Sequence, residues 1–447
     1  MKKSVLLIGV FMIFILGTAC SGTVEQTNTQ LTIYAEGELE HDVAVYTNVV
    51  GNYKSKYPEV DVQFYGGDSD ETITSQTEQS ALKTAMASGE GPDVLLGLCS
   101  SQDVEKLVNS HLFYDINELL KNDADFQFDE SYQNSVIESG VFDGERLVIP
   151  LLFTTNCFTS TDEVLSQSKF QGLTTYTAQQ FCEYGNSFLD ENEDMALFAD
   201  QGENYQHIIN AAFPVLDEDI LQSDTFTNLL KLCRRNMERQ QTLGLDAEDL
   251  GRAYFSLESG KYLFYTSYDN TAIKHLGVFS GLGQATFFNI GNDDDSLNGN
   301  VVVFAAINAQ SPNLENAWNF IKLMLTEYQD VQKYEPEIKK TTSMYGEQGA
   351  SVLLSGNEAI INRLQQEEIP DLNYLNSDGS ITKIPLYPIR DEVALAYKNL
   401  SSRVNKVGYS LPFNSVIQYF DPYIAGEKDL DFCMNEAINY VRIHAEE

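Results

Sequence analysis

The sequence is poor in basic residues and in long apolar runs, and each shortage excludes a class of protein. Lysine and arginine total 28 against 66 aspartate and glutamate residues, which gives a formal net charge of -38 at pH 7. Such a surface repels phosphate groups and anionic lipid, so nucleic-acid binding is excluded. One apolar run stands at the N-terminus, and no second run long enough to span a membrane follows it.

Motifs of common hydrolases, metalloenzymes and nucleotide-binding enzymes are also missing. No G-x-S-x-G, H-E-x-x-H or P-loop pattern occurs, and the 5 histidines are scattered without metal-ligand spacing. Asp190, Asn192 and Asp194 have the spacing that opens an EF-hand loop, but Met195 replaces the required glycine and Gln201 the final glutamate. We therefore predict a solvated acidic loop there, with calcium binding by the loop left open as the alternative, and no cofactor, no metal site and no catalytic residue. The abundant carboxylates leave a glycosidase pair open as an alternative.

Cysteine is scarce, and its spacing supports neither a zinc ribbon nor a thioredoxin-type site. None of the 6 cysteines forms a CxxC pair. Cys20 belongs to the N-terminal segment, and the other five cannot all pair within one chain because their number is odd. We interpret most of these as small buried side chains, with one or two disulfides left open.

The N-terminal segment has the features of an export signal. Lys2 and Lys3 form a basic start, and the run from Val5 to Leu16 is apolar apart from Gly9. This run is shorter than a permanent membrane helix requires, which favours a cleaved signal peptide.

Small residues then lead to Cys20. This pattern resembles a bacterial lipobox, in which the cysteine thiol receives diacylglycerol, although Gly17 stands where a large aliphatic residue is usual. We expect a lipoprotein signal peptide over 1–19 and a lipidated tether over 20–30. The protein would then be anchored by its lipid to the outer face of the bacterial cell membrane, with ordinary secretion as the alternative.

After residue 30, apolar patterns predict strands and helices in turn. Alternating apolar residues or short buried runs predict strands near 31–35, 60–64, 94–96 and 301–307. Apolar residues at helical spacing predict helices near 43–57, 73–88, 312–328 and 429–444. Strands that alternate with helices indicate an α/β fold with a mainly parallel sheet, and 447 residues exceed what one core holds. We therefore predict two lobes.

Four motifs carry a family resemblance through their order and spacing. They are 53–60 (YKSKYPEV), 87–94 (ASGEGPDV), 144–150 (GERLVIP) and 306–313 (AINAQSPN). Because the motifs occur in this order, the chain resembles extracellular solute-binding proteins of the maltose-binding-protein superfamily. These are the family 1 sugar-type substrate-binding lipoproteins of ABC transporters. With the lipobox, the resemblance spans nearly the whole chain.

The resemblance implies a two-lobed periplasmic-binding-protein-like fold, with a ligand cleft between lobes joined by hinge strands. The first α/β lobe would contain 31–150 and 290–338, and the second 156–285 and 345–447. The implied function is capture of a small solute, most readily a sugar or oligosaccharide, and its delivery to ABC transporter permease subunits by cleft closure. We expect a monomer.

The resemblance also places candidate ligand residues in loops that face the cleft. Glu36 and Asp68 follow the first two strands, and their carboxylates suit sugar hydroxyls. Gly97 and Ser100 stand where maltose-binding protein supplies an aromatic residue and an aspartate, so a maltose-like specificity is not carried over. Thr154 falls where the family often has a ligand-binding acid.

In the second lobe, the segment 265–270 offers aromatic faces and polar tips suited to a sugar ring. The complete set of candidate ligand residues is Glu36, Asp68, Gly97, Ser100, Thr154, Asn156, Tyr265, Tyr268 and Asp269. By contrast, we interpret Asp93 as a structural turn residue and Trp318, the only tryptophan, as a packing residue.

Other functions remain open at this point. A polyamine would suit the acidic charge, and a metal ion or a peptide is a further alternative solute. A surface hydrolase, or a surface lipoprotein that serves adhesion or sensing, belongs to a different functional class. The sequence does not identify the ligand, its affinity, the cysteine pairing or the permease.

Overall fold

A computed structural model describes most of the chain after residue 29. The described residues are 30–35, 43–65, 76–100, 102–199, 204–245, 260–266, 276–281, 285–326, 349–366, 372–375, 381–384 and 387–445. Candidate residues outside these ranges are Cys20, Glu36, Asp68, Tyr268 and Asp269. Among the helices of the described ranges, none combines the length and the apolar character that a membrane span requires.

The strands and helices follow the predicted alternation. The strands are β1 Gln30–Ala35, β2 Asp61–Phe64, β3 Val94–Leu98, β4 Val141–Phe142, β5 Glu145–Arg146, β6 Ile149–Thr154, β7 Phe158–Thr161, β8 Thr175–Thr177, β9 Tyr265–Thr266, β10 Ala285–Gly291, β11 Leu297–Ile307, β12 Ala350–Ser351, β13 Leu372–Leu375, β14 Ile381–Ile384 and β15 Val404–Tyr409. The α-helices are α1 Val43–Lys56, α2 Gln76–Ser88, α3 Val104–Asn109, α4 Asn117–Leu120, α5 Asn134–Ile137, α6 Asp162–Leu165, α7 Ala178–Glu191, α8 Tyr205–Ala212, α9 Glu218–Leu221, α10 Asp224–Leu243, α11 Leu276–Ser280, α12 Leu314–Thr326, α13 Leu354–Gln366, α14 Asp391–Ser401, α15 Ser410–Ile417, α16 Asp421–Ala425 and α17 Leu430–Ala445.

A mixed sheet of 11 strands organises the described chain. Strands β2, β1 and β3 lie side by side and run parallel, as the alternation of strands and helices predicts. The long strand β11 is antiparallel to both β3 and β6, and β15 runs parallel to its first half. Because β11 is buried along almost its whole length, it is apolar over 301–307 without alternation.

Apolar side chains form two main cores. The first core draws its residues from β1, β3, β6, β11, α12 and β15, and the second from β7, α7, α8, α10, α15 and α17. Side chains of 350–409 belong to the first core, although the predicted lobe boundaries placed this segment in the second lobe. Core membership does not by itself define lobes, so the boundaries stay a prediction.

Three of the described connections that carry the chain from one core to the other adjoin strands of one sheet. They are the passage from β6 to β7 at 154–158, from β10 to β11 at 291–297, and from β15 to α15 at 409–410. These connections adjoin β6, β11 and β15. Because β11 pairs with both β6 and β15, the three crossings are neighbours in space.

Asp93 is confirmed as a structural residue of the ASGEGPDV motif. It is 3% exposed, and its carboxylate accepts hydrogen bonds from the Thr32 amide at 2.7 Å, from Ser311 Oγ at 2.6 Å and from Asn313 Nδ2 at 3.0 Å. These donors lie on β1 and on the turn that precedes α12. The carboxylate therefore ties together two segments that are far apart in sequence.

Trp318 is likewise confirmed as a packing residue of the first core. Its ring meets Phe126 edge to face with centroids 5.2 Å apart, and its Nε1 donates to Asp123 Oδ2 at 2.8 Å. Burial alone would raise the pKa of Asp123, but hydrogen bonds from Lys322 and Trp318 hold that pKa below its usual value.

We expect Trp318→Phe to lower the free energy of unfolding by about 1 kcal/mol, since one hydrogen bond to Asp123 is lost while an aromatic ring remains against Phe126. The Lys322 ion pair stays in place, so the carboxylate keeps a partner. Urea denaturation of the two proteins measures the difference. A loss above about 4 kcal/mol would contradict this, because that is the scale for removing a whole aromatic side chain.

All five cysteines beyond Cys20 are buried thiols rather than disulfides. This bears out their interpretation as small buried side chains.

The acidic stretch at 190–194 begins inside a helix, because Asp190 and Glu191 are the last residues of α7, and Asp190 pairs with Arg235 of α10. Within the described ranges, no group of three histidine, cysteine, aspartate or glutamate side chains could hold a metal ion.

Candidate functional site

A buried network of asparagine side chains occupies the junction between the two cores. Its centre is Asn210, which is 2% exposed. Asn210 lies on α8, a helix that packs in the second core. The Asn210 Oδ1 atom accepts from Asn156 Nδ2 at 2.7 Å, and Asn210 Nδ2 donates to Asn300 Oδ1 at 3.3 Å. Asn156 lies on the first crossing connection, and Asn300 lies on β11, which the second connection enters. One side chain therefore joins three segments.

Asn298 extends this network to the end of α8. Its Nδ2 donates to the carbonyl oxygens of Ala211 and Ala212, each at 2.9 Å. The last carbonyls of a helix have no partner within the helix, so these bonds supply one. The Asn298 carbonyl in turn accepts from Thr155 Oγ1 at 2.8 Å, and Asn289 of β10 donates to the Asn156 carbonyl.

The network contains amides and a hydroxyl but no ionised group. A buried amide that loses its partner retains a desolvation cost of about 1–3 kcal/mol. Since the partners come from α8, β10, β11 and the first connection, their positions relative to one another are restricted. The network therefore links segments of the two cores at their junction.

Beside the junction, a groove of about 320 Å³ lies between α3 of the first core and helices of the second. Its volume falls within the range typical of small-molecule pockets. One wall is the exposed side of α3, and the other is formed by the 215–217 loop, α15 and α17. The floor is apolar and includes Leu216, Val416 and Val441.

Polar groups line both walls of this groove. Glu105 of α3 is exposed, yet desolvation by neighbouring protein atoms and then repulsion from Asp103 raise its pKa above the usual value. Lys106 lies on the same wall, and Asp217 faces the groove from the other. Both walls thus offer hydrogen-bonding groups above an apolar floor.

Aromatic rings close one end of the groove. Tyr440 and His444 stand one helical turn apart on α17, with ring centroids 4.2 Å apart and Tyr440 Oη 2.9 Å from His444 Nε2. Tyr419 also contacts Tyr440, with ring centroids 5.4 Å apart. Such a cluster offers ring faces together with polar edges.

The two cores approach closely where β15 passes the 213–217 loop. A Cβ atom on Gly408 would lie 2.2 Å from the Pro214 carbonyl oxygen, so a glycine is needed for this approach. Nearby, the Leu411 amide at the start of α15 donates to the Cys99 carbonyl at 2.8 Å. The end of β3 and the start of α15 therefore meet directly.

Five sequence-predicted ligand residues lie within the described chain. Gly97 is buried in β3, where a Cβ atom would lie 2.5 Å from the Phe304 ring, and Ser100 is exposed in the turn that leads to α3. Thr154 ends β6 at the junction, and Asn156 uses its side chain in the asparagine network. Tyr265 is buried on β9 beside β7. Their role in ligand binding stays a prediction.

The structure brings Thr154, Asn156 and the β7–β9 pair to the junction. Ser100 lies in the turn before α3, the helix that forms one wall of the groove. Sequence reasoning missed the network residues Asn210, Asn298 and Asn300 and the groove residues Glu105 and Tyr440. An asparagine at 298 and another at 300, just before the apolar run of β11, were the available signal. The side-chain amide of an asparagine inside an otherwise buried strand requires hydrogen-bond partners.

Sequence comparison yields no matching family model and no matching curated protein. Comparison with solved structures yields a consistent fold. The sugar-binding protein MalE from Xanthomonas citri superposes with a TM-score of 0.59 at 14% identity, over 92% of this chain and 96% of that chain. A family 1 extracellular solute-binding protein from Alicyclobacillus acidocaldarius gives 0.56 at 14% identity, over 94% and 99%.

The cyclic alpha-maltosyl-1,6-maltose binding protein from Arthrobacter globiformis gives a TM-score of 0.52 at 14% identity, over 93% of this chain and 99% of that chain. These likenesses cover almost the full length of all three proteins. They confirm the α/β fold predicted from the sequence, a two-lobed periplasmic-binding-protein-like architecture.

Proposed function

We propose that this chain is an extracytoplasmic solute-binding protein that captures a sugar or oligosaccharide between its two cores and delivers it to an ABC importer. The observation that carries the proposal is the junction, where three crossing connections meet a buried asparagine network beside a groove walled by both cores. A ligand that touches both walls would favour one placement of the cores over others. The near-full-length likeness to sugar-binding proteins supports the same function.

The groove chemistry favours a carbohydrate. Carboxylates and hydroxyl groups on two walls suit the many hydroxyls of a sugar, because charge-assisted hydrogen bonds are stronger than neutral ones. The apolar floor and the rings of Tyr440 and His444 suit the C–H faces of a pyranose ring. A small metal ion would leave most of this volume unfilled.

The proposal extends to residues and partners inferred from the sequence. Glu36, Asp68, Tyr268 and Asp269, which lie outside the described residues, would contribute ligand contacts. Cys20 would carry the lipid that holds the protein at the outer face of the membrane. Permease subunits would receive the ligand from the closed, monomeric protein.

A thermal-unfolding panel tests this function. The chain from Cys20 onward, with Cys20→Ser, is heated with mono- and oligosaccharides, and with polyamines, peptides and metal ions as controls. A ligand that binds the folded state stabilises it by about 2.7 kcal/mol at a hundredfold excess over its Kd. We expect a raised unfolding temperature with one class of glycan. Shifts with polyamines or metal ions alone, or rapid hydrolysis of a glycan, would overturn the assignment.

We expect Glu105→Gln to weaken binding of the responding glycan about tenfold, because a charge-assisted hydrogen bond from the groove wall becomes a neutral one. Titration calorimetry measures the change. Glu145→Gln, at the exposed first residue of β5, is the matched control and should bind like the wild type. Equal affinity of both variants would remove Glu105 from the binding site.

A further inference from the structure

We infer that Asn210 is a positioning residue that sets the placement of the two cores relative to each other. The inference deepens the proposed function, because capture between two cores depends on how they move about their crossings. Asn210 is not a ligand contact in this inference. It acts through Asn156 and Asn300, which lie on the first crossing connection and on β11.

The geometry gives Asn210 this role. Helix α8 packs in the second core through Tyr205, Ile208 and Ile209, so it moves with that core. The amide at 210 points instead to Asn156, on the connection that follows β6, and to Asn300 of β11. Strand β11 pairs with both β6 and β3 in the sheet of the first core. Any rotation of one core against the other therefore changes these amide distances.

Hydrogen bonds act over a narrow range of distance and angle, and they are electrostatically stronger in a buried, low-dielectric site than in water. A small rotation that breaks the bonds of Asn210 leaves buried amides without partners. The bonds from Asn298 to Ala211 and Ala212 respond to the same movement, since they also end on α8. The network therefore favours the placement seen here over neighbouring ones.

Asn236 provides a matched control within the same core. It is a fully buried asparagine on α10, and its side chain accepts from the Leu197 amide at 2.8 Å and donates to the Phe198 carbonyl at 3.0 Å. Its partners belong to the second core. Replacing Asn236 should thus reduce stability without changing the placement of the cores.

The test measures the distance between the cores without any ligand. Spin labels are attached to Lys121→Cys beside α4 and to Lys231→Cys on α10, both exposed, in the chain from Cys20 onward with Cys20→Ser. The five native thiols are buried, which limits unwanted labelling. Every described element starts at residue 30 or later, so this form retains both cores. Double electron–electron resonance then gives the distribution of label distances.

We expect Asn210→Ala to shift the mean label distance by more than about 2 Å or to broaden the distribution to that extent, the scale of a domain rearrangement. Asn300→Ala should have the same effect, and Asn236→Ala should keep the wild-type distribution while lowering the unfolding temperature. If Asn210→Ala does not fold, Asn210→Ser and Asn300→Ala decide the outcome. Wild-type distributions in the folded Asn210 and Asn300 variants would overturn the inference.

The outcome is separate from that of the proposed function. Distances are measured without a glycan, so a failure to bind any sugar would refute the function and leave the role of Asn210 standing. Conversely, sugar binding with unchanged distances in the Asn210 variants would refute the positioning role alone.

Discussion

Asp93→Ala will lower the free energy of unfolding by about 4 kcal/mol, the largest stability effect expected of a single substitution among those considered. The carboxylate is 3% exposed and accepts from a backbone amide, a serine hydroxyl and an asparagine amide. Alanine removes all of these acceptors at once. Each buried donor left without a partner costs about 1–3 kcal/mol, and partial relaxation reduces the sum.

Urea denaturation followed by circular dichroism measures this loss. Asp294→Ala is the matched control, since Asp294 also accepts from an amide and a hydroxyl of Ser296 but lies in an exposed turn. In Asp294→Ala, water can accept the hydrogen bonds that the carboxylate accepted, because the turn is exposed. The unfolding midpoint should therefore stay close to that of the wild type. A small effect of Asp93→Ala, equal to that of Asp294→Ala, would show that the motif does not tie β1 to α12.

Gly408→Ala will weaken binding of the responding glycan by about tenfold to a hundredfold. The added Cβ would lie 2.2 Å from the Pro214 carbonyl oxygen, so β15 and the 213–217 loop must move apart. Overpacking of this kind costs about 1–3 kcal/mol. Because Val215 and Asp217 form part of the groove wall, the same movement displaces that wall from α3.

Calorimetric titration measures the affinity, and thermal unfolding shows whether the variant remains folded. Gly51→Ala is the control, since Gly51 is exposed in α1 and a Cβ there meets no atom within 4 Å. That variant should bind like the wild type and gain slightly in stability from the higher helix propensity of alanine. Wild-type affinity in a folded Gly408→Ala protein would place ligand binding away from the groove.

Local patterns predicted much of the fold correctly. Periodic apolar residues identified β1, α1, β3, α12 and α17, because each of these elements buries one face or, for β3, its whole length. Asp93 and Trp318 were assigned structural roles from their positions beside a strand and on a helix. Such roles depend on short-range sequence context and can be recognised without a structure.

Contacts between distant segments could not be predicted. Phe64 alternates with Val62 in the sequence, yet it is 40% exposed because β2 lies at the edge of the sheet. The packing of 350–409 in the first core depends on β12 pairing with β6 and on β15 pairing with β11. No local pattern specifies these partners.

The candidate site was predicted least completely, for the same reason. Asn156 was selected from its place after a strand, but its partner Asn210 and the next network residue, Asn300, lie 54 and 144 residues away, so the network is not visible in any one motif. The groove combines α3 with helix α17, which are far apart in the sequence. The four candidate ligand residues outside the described residues stay predictions.

Titration calorimetry of the wild-type chain with a broad glycan panel tests the central claim most directly. The account predicts saturable one-to-one binding of one glycan class with a Kd of about 1 μM or below, equivalent to about -8.2 kcal/mol. Binding should weaken in both the Glu105→Gln and Gly408→Ala proteins. A panel in which no glycan binds more tightly than about 1 mM, about -4.1 kcal/mol, would contradict capture of a sugar between the two cores.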